Sequence, residues 1–171
     1  GVTITSPDNT DSTISVTGAY IDGSNNYAYI GGYVGYGTGV DVSNAHNAVE
    51  IDYSATQNKG SYVGGLFGYI TGVLTDCENV ANVSAPNSPK VGGIAGMQDK
   101  TGDYTMKNLK NSGEITGVSY VGGIFGTIVD RTSYHDNNTH YTYVNSTENS
   151  GTITASGNYA GGLFGYLEFE G

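Results

Sequence analysis

Tryptophan is absent from these 171 residues, cysteine occurs once, and proline three times. Lysine and arginine together number 6 against 16 acids, for a formal net charge of −10. A single cysteine excludes an internal disulfide framework. It leaves the compartment open, although a bridge-free chain suits an extracellular protein that is stable without them. With no run of Lys or Arg to neutralise phosphates, nucleic acid is not an expected partner. An anionic membrane surface is disfavoured for the same reason. No apolar run approaches the roughly 20 residues of a membrane span, so no membrane insertion is expected. No signal peptide precedes Gly1, and the numbering is expected to begin inside a processed or truncated chain.

Charged residues make up only 13% of the chain, which would suit disorder if hydrophobic residues were scarce too. They are not: 37% are hydrophobic, 15 are tyrosines and 28 are glycines. β-Branched and aromatic residues punctuated by glycine point to an all-β class, and the length fits one domain over residues 1–171.

One element recurs. It reads "YIGGYVGY" at 29–36, "YVGGLFGY" at 62–69, "KVGGIAGM" at 90–97, "YVGGIFGT" at 120–127 and "YAGGLFGY" at 159–166. The glycine pairs are Gly31–Gly32, Gly64–Gly65, Gly92–Gly93, Gly122–Gly123 and Gly161–Gly162, with first glycines spaced 33, 28, 30 and 39 residues apart. A second element precedes the later copies: "NAVEI" (47–51), "NVANV" (79–83), "NSGEI" (111–115) and "NSGTI" (149–153). A degenerate first repeat over about 2–36, with "TDSTI" at 10–14 as its capping turn, precedes clearer ones at about 40–69, 72–97, 104–127 and 142–166.

Apolar spacings of two and three residues lack a helical series and argue for strands. A unit of roughly 30 residues built from short strands cannot bury both its sides alone, but copies stacked about 4.8 Å apart can. The expected fold is a β-solenoid, parallel β-helix-like, of about five coils. Its inner stacks should be Ile51/Val83/Ile115/Ile153, Val63/Val91/Val121/Ala160 and Leu66/Ile94/Ile124/Leu163. The glycine pair should be a corner that needs positive φ or close backbone approach. The repeated Asn should sit at another corner, tolerating the left-handed conformation or stacking as an amide ladder.

The "YVGGLFG", "YVGGIFG" and "YAGGLFG" copies, preceded by "NSGxI"-like turns, resemble the GLUG motif over about residues 29–166. That motif recurs in bacterial surface and adhesin-like proteins, and in non-catalytic regions of IgA-specific metallopeptidases. The resemblance implies an extracellular module, secreted or attached to the cell surface, without enzymatic activity. Such a module would serve adhesion or act as a structural stalk. Its partners would be a host glycan or protein, or neighbouring domains of the same chain. An accessory repeat region of a secreted peptidase is the alternative, and a β-helical carbohydrate-active enzyme a third. The copy at 90–97 departs from the pattern, with Lys90 for Tyr and Ala95 for Phe, so a ladder of side chains is interrupted there.

Residues suited to chemistry are few. No H-E-x-x-H or phosphate-loop motif is present, and "GYGTGV" at 35–40 reads as a turn. Glu50 with Asp52, and Glu168 with Glu170, alternate around an apolar residue and should point outward, where acids discourage edge pairing; paired carboxylates could otherwise cleave sugars. His135 and His140 flank Asp136 in the longest insertion, with His46 elsewhere, and their spacing fixes no metal geometry. "DNTD" at 8–11 offers oxygen ligands but matches no calcium motif. No metal or cofactor is expected. Cys77 shares a column with Ala45, Leu109 and Thr147 and reads as packing. The ligand-binding candidates are Tyr29, Tyr62, Tyr120 and Tyr159. Each precedes an inward residue, so alternation should turn the four outward as a column of exposed aromatic faces. The chain stops just after its fifth glycine pair, so either a longer protein or a partner is expected to cover that end.

Overall fold

A computed structural model describes residues 2–5, 8–9, 13–16, 27–55, 60–100, 103–131 and 142–170. The chain is an all-β solenoid, with no helix among the described residues. Each coil gives one stretch to each of four parallel sheets. In the second coil these are Val40–Ser43 with His46–Asn47, Glu50–Tyr53, Gly60–Gly64 and Phe67–Thr71. Five coils follow one another at about 2–38, 40–71, 74–100, 104–131 and 142–170, each pairing with the next in register.

Two hydrophobic clusters fill the interior, in the expected columns. Ile51, Val83, Ile115 and Ile153 are register partners, joined by Ile14 from the first coil. Facing them, Ile30, Val63, Val91, Val121 and Ala160 form another line. These two columns close the second sheet on the third. Leu66, Ile94 and Ile124 join Phe67, Phe125, Leu74 and Met106 to close the first sheet on the fourth. Complete burial of such side chains is worth about 1.5–3 kcal/mol each. Tyr33 takes the leucine position in the first coil, and its hydroxyl donates to the His46 carbonyl. In the fifth coil Ala160 is exposed and Leu163 half-buried, because described strands cover only one side of it.

A polar seam separates the clusters. The Asn79 amide donates to Asn111 Oδ1 at 2.8 Å and to its own Ala81 carbonyl at 2.7 Å. Asn47 donates to Asn79 at 2.7 Å, and Asn111 to Asn149 at 2.8 Å. This is the amide ladder, and it explains the second glycine of the first four pairs. A Cβ on Gly65 would lie 2.4 Å from Asn79 Oδ1 and 2.3 Å from the Gly93 carbonyl oxygen. Close approach, not positive φ, is therefore what the glycine pairs supply. The first glycines meet the same limit, since a Cβ on Gly64 would lie 2.1 Å from the Phe67 carbonyl oxygen.

The left-handed residues stand elsewhere than expected. Four of them, Asn44, Asp76, Asn108 and Ser146, fall three positions before each ladder asparagine, with φ of 52–54°. At these positions the first sheet kinks, and short polar side chains tolerate the conformation. One column of that sheet is made of ionisable residues from coil to coil: Asp8, His46, Glu78, Lys110 and Glu148 are successive register partners. His46 Nδ1 lies 3.2 Å from Glu78 Oε2. "GYGTGV" is mostly strand, and only Gly39 (φ +63°) turns.

Candidate functional site

After the glycine corner the chain folds back over the outer side of the strand before it. A Cβ on Gly68 would lie 2.6 Å from the Ile30 amide nitrogen of the preceding coil. This brings tyrosines of the third sheet against tyrosines of the fourth. Tyr29 stacks on Tyr62 across coils at 5.2 Å with an interplanar angle of 5°, and Tyr36 stacks on Tyr69 at 4.8 Å and 12°. Tyr29 meets Tyr36 edge-on at 4.8 Å, and Tyr27 packs on Tyr62 at 5.6 Å. At the far end Tyr120 stacks on Tyr159 at 5.1 Å and 13°, with Tyr166 edge-on to Tyr120 at 5.2 Å.

All four candidate tyrosines lie outside the two main clusters, but not as one column of free faces. The rings spend their faces on one another, as aromatic pairs prefer. Tyr62 is only 9% exposed, whereas Tyr159 is 55% exposed. Tyr120 and Tyr159 carry positive φ, 49° and 62°, whereas Tyr29 and Tyr62 lie within strands. Tyr36, Tyr69 and Tyr166 join the site without being expected from alternation. Their signal was the last position of the repeated motif, but only the fold-back at the corner shows that it meets the first.

Lys90 divides the two tyrosine groups, as its departure from the motif implies. Its Nζ sits 4.6 Å from the Tyr62 ring centroid and 3.4 Å from that hydroxyl. Burial lowers the Lys90 pKa, while the charges of Glu168 and Asp99 oppose the shift. Asp99, 8% exposed, ties three coils together. It accepts from the Tyr69 hydroxyl of the coil before at 2.9 Å and from Arg131 Nε of the coil after at 2.9 Å. Burial, then Tyr27, Tyr29 and Asp99, push the Tyr62 phenol up to about 12. Burial and the hydrogen bond to Asp99 raise Tyr69 further. The Tyr69 hydroxyl is held as a donor to Asp99, whereas that of Tyr62 accepts from Lys90.

Of the remaining described candidates only Glu168 reaches this corner, through its charge on Lys90. Glu50 and Asp52 are exposed on the second sheet, where Asp52 faces Ser84 across the pairing. Glu168 pairs with Val129, and Glu170 with Arg131, in the fourth sheet. Cys77 is buried against the Thr75 carbonyl at 3.3 Å, and burial pushes its thiol up to about 11. His135, Asp136 and His140, with Thr10 and Asp11 of the "DNTD" stretch, lie outside the described residues. Among the described residues no three of His, Cys, Asp and Glu converge as a metal site. No family model, curated protein or solved structure matches the chain.

Proposed function

We propose that this chain is a non-catalytic repeat module of a bacterial cell-surface protein, working outside the cell as a stalk that holds another part at a distance. The observation that carries this reading is the unbroken coil-to-coil register of the asparagine ladder from Asn47 to Asn149. Each coil meets its neighbours through the same hydrogen bonds, and stacked rings spend their faces on one another rather than on a ligand. The GLUG resemblance supports the bacterial and surface parts of the proposal.

Adhesion is a second reading, favoured by the two rings at opposite ends of the corner that are more than half exposed, Tyr36 and Tyr159. One experiment separates the two. The 171-residue chain is applied to a broad glycan and host-protein array beside a Tyr36→Ala/Tyr159→Ala variant, and its unfolding force is measured by single-molecule pulling. High-force, coil-wise unfolding with no array signal supports the stalk. A specific signal lost in the folded variant supports adhesion. Low-force collapse without any array signal would sink both.

A further inference from the structure

Away from the tyrosine corner, a cavity of about 160 Å³ opens between the first and fourth sheets at the fourth and fifth coils. Among the described residues its walls are Ile128, Val144, Phe164 and Leu167, its polar side chains are Asp130 and Thr142, and Glu168 borders it. Asp130 is only 2% exposed. Thr142 Oγ1 donates to Asp130 Oδ2 at 2.6 Å, whereas Oδ1 has no hydrogen-bond partner among the described residues. A buried acceptor left without a donor costs about 1–3 kcal/mol, and more when charged, so such groups call for an explanation. The neighbouring Arg131 turns to Asp99 instead.

We propose that this cavity is a binding site for a primary alkylammonium group of the lysine side-chain type. The aliphatic stem would lie against the four apolar walls. The ammonium would donate to Asp130 Oδ1; Glu168, the register partner of Val129, turns its side chain to the opposite face of the sheet. Size and donor number favour this ligand over others. A dry cavity near 150 Å³ takes a benzene-sized group, and butylammonium is comparable, with five heavy atoms. A guanidinium on its stem is larger and brings five donors to a site with few acceptors. A bare calcium ion needs six to eight oxygens, and these walls are mostly apolar. The same chemistry can arrive as a free amine or as a lysine of a partner peptide.

The test is an NMR titration of the 171-residue chain with n-butylammonium, with n-butanol, and with an acetylated lysine peptide, reading the methyl groups of Ile128, Val144 and Leu167. Saturable shifts are expected with butylammonium, and binding at least roughly tenfold weaker with butanol. Asp130→Asn should weaken butylammonium by about tenfold or more. Val144→Phe, which fills the cavity without altering a charge, should abolish binding even if the first variant fails to fold. Saturation by the peptide alone or by the free amine alone identifies the source. Equal binding of butanol, unchanged affinity in a folded Asp130→Asn protein, or no shift at these methyls would overturn the assignment.

Discussion

Asn79 and Asn111 stand 32 positions apart and are joined side chain to side chain, Nδ2 to Oδ1, at 2.8 Å inside the protein. Each amide uses one N–H on the next coil and the other on a carbonyl two residues ahead, as Asn111 does with Gly113 at 2.8 Å. The seam between the two hydrophobic clusters is thus polar and satisfied, which is the condition for a buried network to specify a structure.

Removing one rung should therefore cost more than one hydrogen bond. Asn79→Ala strands the Asn47 amide and the Asn111 carbonyl oxygen, and a loss of about 2–4 kcal/mol is expected in urea unfolding. Asn82→Ala, at an exposed asparagine that caps the Glu114 amide, should cost about 1 kcal/mol or less. Equal losses would remove the ladder from the account of stability.

Two glycines of the same column should respond oppositely to alanine. At Gly65 the new Cβ meets the Gly93 carbonyl oxygen at 2.3 Å, whereas at Gly162 nothing lies within 4 Å. Thermal melts should show Gly65→Ala destabilised by about 3 kcal/mol or more and Gly162→Ala within about 1 kcal/mol of the parent. A tolerant Gly65 would mean that the coils can separate without penalty.

Lys110 sits between Glu78 and Glu148 in one column of the first sheet. Lys110→Glu places like charges on three successive coils. It should lower stability by about 1 kcal/mol at low salt, and less at 1 M salt, where screening acts over about 3 Å. A salt-independent loss would point to packing instead.

Stability should also fall in strong alkali, through Tyr62. Its ordinary value of 10.0 is raised to about 12 in the fold, chiefly by burial. A group whose folded value is raised contributes fully below the unfolded value and loses that contribution as pH climbs through the folded one. Melting temperature should drop between pH 10 and 12, less steeply in Tyr62→Phe. Absorbance at 295 nm should show one fewer late-titrating phenol in the variant; an unchanged late titration would place Tyr62 in water.

Much of this was legible in the residues because a solenoid is nearly one-dimensional: each coil contacts its neighbours, and neighbours are copies. Repeat spacing alone aligned Ile51 with Val83 and Val63 with Val91, since equivalent residues in stacked parallel coils become register partners. The same alignment put Asn47, Asn79, Asn111 and Asn149 in one line. It did not place the left-handed kink, which falls at Asn44, Asp76, Asn108 and Ser146. Each is a short polar residue, but nothing in a period-two pattern distinguishes a kink inside a sheet from a turn at its end.

The chain's own repetition thus determined the architecture, the inner columns and the interruption at Lys90. The tertiary structure decided what lies across the stacking direction. It set how sharply the third and fourth sheets fold together, so that Tyr29 meets Tyr36 and buries Tyr62. It also set how the last two coils leave a carboxylate oxygen of Asp130 unpaired in a cavity. Repeat spacing fixes distances along the stack, but angles between sheets come from packing on both faces of each corner, which no single coil encodes.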